Sequence, residues 1–549
     1  MALRVARGVP ALLPALLPAL MLALLCGSVN VAHGQVVTVR SLVQLGSEAD
    51  ERLRLGQLLN PGEPAQYLIR SASSLTRTDR TASPFGVTLV APELRVVSNS
   101  ALPFSLNDGL LWAGRGTNTL VTAGIGIRLG MLRILVAPQI ATSENLPFQV
   151  IPYSQASSVQ RSPWANPFHP PPSSIDLPYR FGDEGIRRVD PGQSSITLDL
   201  PGASVGVATE NLWWGPGVRN AIVMSNNAAG FPHAFAQTRD GLHTPVGRFD
   251  AQWILGTLHE SDFFDSNTAN DLRSISGLAV IWTPRSDSGL SVGYARTVYA
   301  AAGRSGVPFT AAFDALRSVG VPNNVPATSV VRGGADQVFS LFGRWVLPRA
   351  GFETYVEWAR FEQPISIRDF LEYPQHSQAY TLGLQWARGL ARGGTLRVQA
   401  EATYLEPDPA QRVRPVATTY TSRVVSQGYT NRGKTIGAAI GPGSSSQWVT
   451  ADLFGRWFRF GAFAERIRWD NATVWEPVVP EAKAEDLSLL GGVRGSVTFM
   501  GARLQLEYAH AVRLDYLYQD RVPDTNGKHV GVDIVNNTLA LTLSTAVRR

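Results

Sequence analysis

Cysteine and lysine are almost absent from this chain, and long apolar runs occur only near its start. The one cysteine, Cys26, lies in a stretch that we expect to be removed. We therefore expect no disulfide, no thiol nucleophile and no cysteine-bound metal in the mature chain. Lys434, Lys483 and Lys528 are the only lysines, so arginine carries nearly all of the formal net charge of +6. This small excess does not predict nucleic-acid binding.

The first residues have the pattern of a secretory signal peptide. Two arginines precede an apolar run from Ala11 to Leu25, and the small residues Ala32 and Gly34 fit a cleavage site before Gln35. We predict that residues 1–34 are removed on export. No later stretch reaches the roughly 18 apolar residues of a membrane-spanning helix.

A short region after the predicted cleavage site has helical periodicity. Ser47 is placed to cap a helix that runs to about Leu59, where Asn60-Pro61-Gly62 ends it. A second short helix is predicted from about Ala65 to Ser74. We assign residues 35–80 to a periplasmic helical region.

From about Phe85 onward, apolar residues recur with a period of two, which is the pattern of half-buried strands. In TLRVQAEATY, Thr395–Tyr404, apolar or small residues alternate with polar ones throughout. The pattern predicts eighteen strands, among them 131–143 and 193–200. The connections alternate between tight turns, such as Pro201-Gly202, and long irregular stretches.

Strands of about ten residues with one polar face, joined alternately by short and long connections, are typical of outer-membrane β-barrels. A soluble sandwich would give no reason for so regular an alternation. We therefore predict an all-β fold: a transmembrane outer-membrane barrel of about eighteen antiparallel strands over residues 81–549. Its long loops would be extracellular, and the chain would be located in the outer membrane.

Three segments resemble the capsule assembly protein Wzi family. They are IDLPYRFGDEGIRRVDPGQSS (Ile175–Ser195), TENLWWGPGVRNAIVMSNNAAGFPH (Thr209–His233) and GYTNRGKTIGAAIGPGSSSQ (Gly428–Gln447). They keep their order within a resemblance that extends from about Phe85 to the C-terminus. The resemblance implies an eighteen-strand barrel with a periplasmic helical part. It also implies a lectin-like, non-catalytic protein that holds capsular polysaccharide on the cell.

Seven residues in these segments are candidates for polysaccharide binding: Trp213, Trp214, Arg219, Asn226, Asn227, Arg432 and Lys434. The two tryptophans could stack on sugar rings, or they could pack inside a loop that plugs the barrel or sit in an interfacial aromatic belt. Arg219 could bind an acidic sugar in a bidentate pair, or it could pair with Glu210. Gly215-Pro216-Gly217 is interpreted as backbone geometry.

The other four candidates also have an alternative role that does not involve sugar binding. Asn226 and Asn227 could bond sugar hydroxyls or stabilise turns. Arg432 and Lys434 could attract an acidic polysaccharide or belong to an ordinary solvated loop. Charged residues expected to face the lumen, such as Glu357, Arg397 and Glu401, are predicted to pair across neighbouring strands.

No catalytic or metal-binding pattern is supported. GLSVG at 289–293 fits G-x-S-x-G, but Ser291 lies inside a predicted strand instead of a sharp turn. The histidines lack paired ligand spacing. We expect no enzymatic activity, no cofactor and no metal, and a monomer in contact with outer-membrane lipid. The predicted function is to bind and attach or organise capsular or other surface polysaccharide; a porin or transport channel of the same fold is the alternative.

Overall fold

The computed structural model describes most of the chain from residue 37 onward. The described ranges are 37–60, 67–76, 85–153, 161–303, 306–317, 334–362, 367–391, 393–408, 417–475, 485–521 and 530–545. The predicted signal peptide lies outside them. No helix among these residues is both long and apolar enough to cross a membrane.

Eighteen antiparallel strands form one closed barrel, as predicted, because the first strand pairs with the last and every other strand pairs with its neighbours. They are β1 (Phe85–Asn99), β2 (Gly116–Leu129), β3 (Leu132–Val136 with Gln139–Ser143), β4 (Ile186–Asp190 with Ser195–Leu200), β5 (Ala203–Ala208), β6 (His233–Thr238), β7 (Gly247–His259), β8 (Leu272–Pro284), β9 (Leu290–Ala301), β10 (Ala335–Leu347), β11 (Phe352–Arg360), β12 (Gln378–Gly389), β13 (Thr395–Tyr404), β14 (Ser445–Phe454), β15 (Phe458–Arg468), β16 (Leu487–Phe499), β17 (Ala502–Leu514) and β18 (Ile534–Thr545).

Two of the barrel strands consist of two segments each, whereas the sequence predicted one continuous segment for each. The predicted strand 131–143 is broken at Ala137-Pro138, because proline has no amide hydrogen to continue the ladder. The predicted strand 193–200 is preceded by a further segment, Ile186–Asp190, and Pro191-Gly192 separates the two parts. The two segments of each interrupted strand together occupy one strand position in the barrel.

The two ends of the barrel differ in the length of their connections. Tight turns such as Pro201-Gly202 and Met500-Gly501 lie at one end, which we call the short-turn end. The opposite end carries the long connections, among them 209–232 and 405–444, and we call it the long-loop end. The start of β1 and the end of β18 both lie at the short-turn end.

The alternation along the strands separates an outer apolar face from a polar lumen. On β12, the outward-facing Leu382 and Leu384 are exposed, while on β13 the polar set Arg397, Gln399 and Glu401 is buried inside. Apolar groups outside and polar groups inside are the arrangement predicted from the period of two.

The N-terminal segment enters the lumen from the short-turn end. Helix α1 (Glu48–Leu59) begins after Ser47, whose side chain accepts a hydrogen bond from the Asp50 amide, as predicted. The prediction of a helix from Ala65 to Ser74 is wrong where the chain is described. Ile69–Ser71 is extended because it pairs with Leu212–Trp214, and only Ala72–Thr76 is helical (α2).

Short elements complete the fold. A short strand, Val37–Arg40, pairs in parallel with β1. It lies on the same edge of β1 as β18 and pairs with the part of β1 that β18 does not reach. The other short elements are Leu242–Thr244, Thr430–Asn431 with Lys434–Thr435, and Asp520–Arg521 with Val530–Gly531; the helices Ile367–Glu372 (α3) and Ala472–Trp475 (α4); and the 3-10 segments Phe309–Leu316, Pro348–Ala350 and Tyr516–Tyr518.

Candidate functional site

The Trp-Trp loop, 209–232, folds from the long-loop end into the lumen. Trp213 and Trp214 have no exposed surface at all. The Trp213 indole nitrogen donates to the carbonyl of Gly217 at 3.1 Å, and that of Trp214 donates to Oε1 of Gln252 at 2.7 Å. Both rings are enclosed and pack within the loop that fills the lumen, which is the second of the three roles considered for them.

Carboxylates of the barrel wall hold the backbone of this loop. Glu401 accepts hydrogen bonds from the amides of Val218, Arg219 and Asn220 at 2.6, 3.0 and 2.8 Å. Glu357 accepts from the amide of Ile222 at 3.2 Å. These two acids therefore bind the loop, instead of pairing with charges on neighbouring strands as the sequence predicted.

Helix α1 is held by ion pairs to the wall. Glu51 binds Arg397, Arg459 and Arg494, and Arg54 binds Glu353. Burial alone would raise the pKa of Glu51, but the three guanidinium groups outweigh burial and hold that pKa well below its usual range. The lumen is thus filled from both ends by charged and polar contacts.

The part of the lumen beside β1 and β15 to β18 remains open as a polar cavity of about 220 Å³. Arg219 faces it and pairs with Glu465 at 2.9 Å, not with Glu210 as considered from the sequence. Asn226 also lines it, and its amide nitrogen donates to the carbonyls of Leu45 and Asn107 at 2.9 and 3.1 Å.

A second cavity, of about 200 Å³, lies at the long-loop end, and we call it the aromatic cleft. Four different loops supply its rings. The rings are those of Phe104, Trp112, Phe148, Tyr179, Trp469, Tyr516 and Tyr518. Phe104 and Leu106 line both this cleft and the polar cavity beneath it, so a thin wall separates the two.

Polar contacts fix the far wall of the aromatic cleft. Arg513 forms a bidentate pair with Asp486, at 2.6 and 2.8 Å, and its guanidinium lies 5.1 Å from the ring of Trp469 and 4.8 Å from that of Tyr516. Burial raises the pKa of Tyr516 to about 12, so its hydroxyl stays protonated and donates to the carbonyl of Gln149 at 2.7 Å. The rings are therefore held in place before any ligand arrives.

The remaining candidates lie around the floor of this cleft. The Lys434 ammonium is buried and donates to the carbonyls of Gly109 and Leu111 at 3.2 and 3.1 Å, and burial lowers its pKa to about 8. Asn227 is buried and donates to the carbonyl of Thr435 at 3.0 Å. Both residues line the cleft while joining one loop to another.

Arg432 lies away from both cavities. It pairs with Asp190 at 2.6 Å, and one third of its side chain stays exposed. The structure therefore brings Asn227 and Lys434 to the aromatic cleft, and Arg219 and Asn226 to the polar cavity. Trp213 also borders that cavity but is enclosed, Trp214 is enclosed, and Arg432 lies apart.

The aromatic cleft was not predicted from the sequence. Its rings are scattered over more than 400 positions, and none lies in the three family-like segments except Tyr179. A usable signal exists, since Trp469 directly follows the end of β15 and Tyr516 comes two positions after the end of β17. Aromatic residues at the long-loop ends of strands would have pointed to this place.

The described residues contain no metal-binding cluster, and the G-x-S-x-G segment lacks the geometry that this motif requires. No group of three or more histidine, cysteine, aspartate or glutamate side chains there is arranged to hold a metal ion. Ser291 lies within β9, and its hydroxyl contacts that of Thr283 at 3.1 Å, so the sharp strand-to-helix turn required by the G-x-S-x-G motif is absent.

Comparisons with known proteins agree with the fold. An Escherichia coli outer-membrane protein involved in group 1 capsule assembly, described as a carbohydrate-binding β-barrel, matches with a TM-score of 0.53 and 9% identity, over 83% of this chain and 85% of that one. Acinetobacter baumannii OccAB2 matches with a TM-score of 0.39 and 8% identity, over 83% of this chain and 97% of that one. The second score is too low to establish a shared fold. No significant match was found among curated protein sequences.

The model of the family described as capsule assembly protein Wzi matches residues 187–454. This range contains two of the three segments that carried the resemblance and the end of the third. The family match and the barrel fold bear out the outer-membrane location expected from the sequence. Over residues 187–454, slightly less than half of its length, the chain is thus similar to the capsule assembly protein Wzi family.

Proposed function

We propose that this protein binds a surface polysaccharide non-covalently in the aromatic cleft and so attaches or organises that polymer at the cell surface. The observation that carries the proposal is the convergence of seven aromatic rings from four loops in one cleft. Aromatic rings offer large rigid apolar faces, and the C–H faces of sugar rings pack well on them. Polar atoms at the cleft would then orient the sugar hydroxyls.

The size of the aromatic cleft is compatible with binding short stretches of a polymer. A cavity of about 200 Å³ is too small for more than a short stretch of sugars. A polysaccharide on the cell carries many such stretches and meets many copies of the protein, so weak contacts add through multivalency. The family match and the carbohydrate-binding description of the Escherichia coli barrel support this role.

The proposal includes an orientation and a division of roles. The short-turn end, with α1, faces the periplasm, and the long-loop end faces outside. The protein acts as a monomer and without catalysis. Asn227 and Lys434 support the cleft floor, Trp213 and Trp214 hold the Trp-Trp loop in place, and Arg219, Asn226 and Arg432 remain candidates for contact with acidic or hydroxyl groups.

The test is a comparison of surface-bound and released polysaccharide in cells that lack the gene. We expect unchanged total polymer that moves from the cells to the medium. The wild-type gene should restore attachment, and a Trp112→Ala variant should not, because this half-buried ring borders the cleft. Its indole nitrogen has no hydrogen-bond partner among the described residues, so the substitution removes the ring and no hydrogen bond.

Trp457→Ala is the matched control, because Trp457 is exposed at the short-turn end, opposite to the cleft. It should restore attachment fully. An unchanged polymer distribution in cells without the gene, or full restoration by Trp112→Ala, would contradict the proposal. The amount of folded barrel in the membrane must be equal for all three proteins.

A channel is the second candidate function, and one observation favours it. The polar cavity and the aromatic cleft share Phe104 and Leu106 as a thin wall, so a modest movement of this segment would join them. The filled lumen argues against a wide pore, and conductance of the pure protein separates the two functions.

A further inference from the structure

A row of side chains crosses the barrel wall from the middle of β7 to the long-loop end of β11. The register places its members directly opposite one another on five neighbouring strands, β7 to β11. They are Trp253, Leu278, Arg296, Phe339 and Arg360. Gln252, the neighbour of Trp253, binds Trp214 in the lumen. Because successive side chains of a strand point to opposite faces, the row lies on the outer face of the barrel.

This row interrupts the apolar band of the outer wall because it contains two arginines. On β9, the outward-facing residues between the row and the short-turn end are Leu290, Val292 and Tyr294. They cover five positions, about 16 Å along the strand. The apolar band of an outer-membrane barrel is about 25 Å tall, and its strands are tilted. The outward-facing apolar stretch of β9 alone is therefore too short to cross the apolar band.

The 3-10 segment Phe309–Leu316 folds back from the long-loop end and covers the row on β7 to β9. Its Ala312 carbonyl accepts hydrogen bonds from the indole of Trp253 at 2.8 Å and from the hydroxyl of Ser276 at 2.7 Å. Its Ala315 carbonyl accepts from the guanidinium of Arg296 at 3.1 Å. Outward-facing polar groups of the wall are thus bonded to backbone oxygens of the covering segment.

Helix α3, Ile367–Glu372, covers the same row on β11. The ring of Phe370 lies 6.3 Å from that of Trp358. The guanidinium of Arg360 lies 5.4 Å from the Phe370 ring, and Arg360 is only 1% exposed although it belongs to the outer face. Two separate loops therefore cover the two arginines of this row.

Both covering segments turn apolar side chains away from the barrel. Phe309, Leu316, Ile367 and Leu371 are 77%, 60%, 81% and 71% exposed. A segment at a water-facing surface buries its apolar side and exposes its polar side. Here the polar groups of the wall are covered, and bulky apolar side chains point outward. The arrangement is the one expected next to an apolar medium.

We propose that these two segments form a collar embedded in the acyl chains of the outer leaflet, where it completes the apolar band over β7 to β11. The collar continues the lipid-facing wall, since Leu341 on the intervening strand β10 is 50% exposed and lies two positions from the row. Arg317 and Arg368, at the ends of the segments, have largely exposed side chains, long enough to reach the lipid headgroups.

The test uses single cysteines labelled with a polarity-sensitive fluorophore, because the mature chain is expected to contain no cysteine. Leu316→Cys and Leu371→Cys probe the collar. Leu341→Cys probes the lipid-facing wall, and Thr268→Cys, in the exposed loop after β7, is the water-exposed control. The labelled proteins are reconstituted into phosphatidylcholine vesicles that contain lipids with a nitroxide quencher at acyl carbon 5 or 12.

We expect the collar labels to emit at shorter wavelength than the Thr268→Cys label and to be quenched several-fold more strongly. The carbon-5 lipid should quench them better than the carbon-12 lipid, because the collar lies near the edge of the band. Collar labels that behave like the Thr268→Cys label would overturn the proposal. So would a short-wavelength emission without quenching, accompanied by cross-linking to a second copy, since a protein would then cover the collar.

Discussion

At Trp214, one side chain joins the barrel wall to the loop that fills the lumen. Its ring lies over Gly277, where a Cβ atom would stand 2.7 Å from the indole, and its nitrogen binds Gln252. Trp214→Ala should lower the free energy of unfolding by about 3–5 kcal/mol, because it leaves a cavity and removes the donor to the Gln252 amide oxygen. Urea unfolding of the purified barrel in detergent measures this change. The exposed Trp457→Ala variant should lose far less, and equal losses would contradict the packing role of Trp214.

Glu260 gives the barrel a stability that depends on pH. Burial, together with neighbouring acids such as Asp265 and Asp176, raises the pKa of this loop residue to about 8. In the unfolded chain the group ionises near 4.5, so the stability present below that pH is lost as the pH rises through 8. Glu260→Gln should therefore match the wild type at pH 4 and exceed it at pH 9. Unfolding midpoints across this range test the prediction, and equal midpoints of the two proteins at pH 9 would contradict it.

Helix α1 depends on Glu51, whose carboxylate faces three guanidinium groups of the wall. Glu51→Gln would leave those arginines with Asp452 as their remaining carboxylate partner, and the loss of one partly buried partner costs about 1–3 kcal/mol. We expect α1 to leave the lumen more readily and to become accessible to protease at the short-turn end. The control is Glu485→Gln, whose exposed pair with Arg468 is worth about 0–1 kcal/mol. Equal protease resistance of wild type and Glu51→Gln would show that these contacts do not hold α1.

The strands could be predicted because each one carries its own signal, namely alternation along the strand and a turn at its end. The breaks at Pro138 and at Pro191-Gly192 were equally local and could have been predicted from the missing proline amide. The extended segment Ile69–Ser71 could not, because its partner, Leu212–Trp214, is far away in the chain. Pairing with a distant segment outweighed the helical preference of the local sequence.

At the scale of the molecule, the sequence indicated which face of each strand is polar but not what the polar face contacts. Glu401 looks like any lumen-facing acid, and only the folded loop shows that it accepts three backbone amides. The aromatic cleft is hidden from sequence for the same reason, since it arises where four loops meet. The family-like segments marked the filling of the lumen, and the rings of the cleft lie mostly outside them.

The filled lumen predicts how the whole barrel conducts. An empty barrel of eighteen strands would enclose an aqueous channel. Here α1 enters from the short-turn end and the loop 209–232 from the long-loop end, and a polar cavity of about 220 Å³ stays open beside them. Purified wild-type protein in a planar bilayer should therefore show little conductance.

A double variant, Glu51→Ala with Arg54→Ala, should conduct more than the wild type, because it removes ion pairs that hold α1 to Arg397, Arg459 and Glu353. Arg368→Ala with Glu372→Ala, which breaks an exposed pair on the outer face, is the matched control and should conduct like the wild type. A large, steady conductance of the wild type would show that the lumen opens in the membrane and would favour the channel over polysaccharide attachment. If neither the wild type nor the α1 variant conducts ions, the loop 209–232, where Trp213 and Trp214 are enclosed, is the element that blocks the lumen.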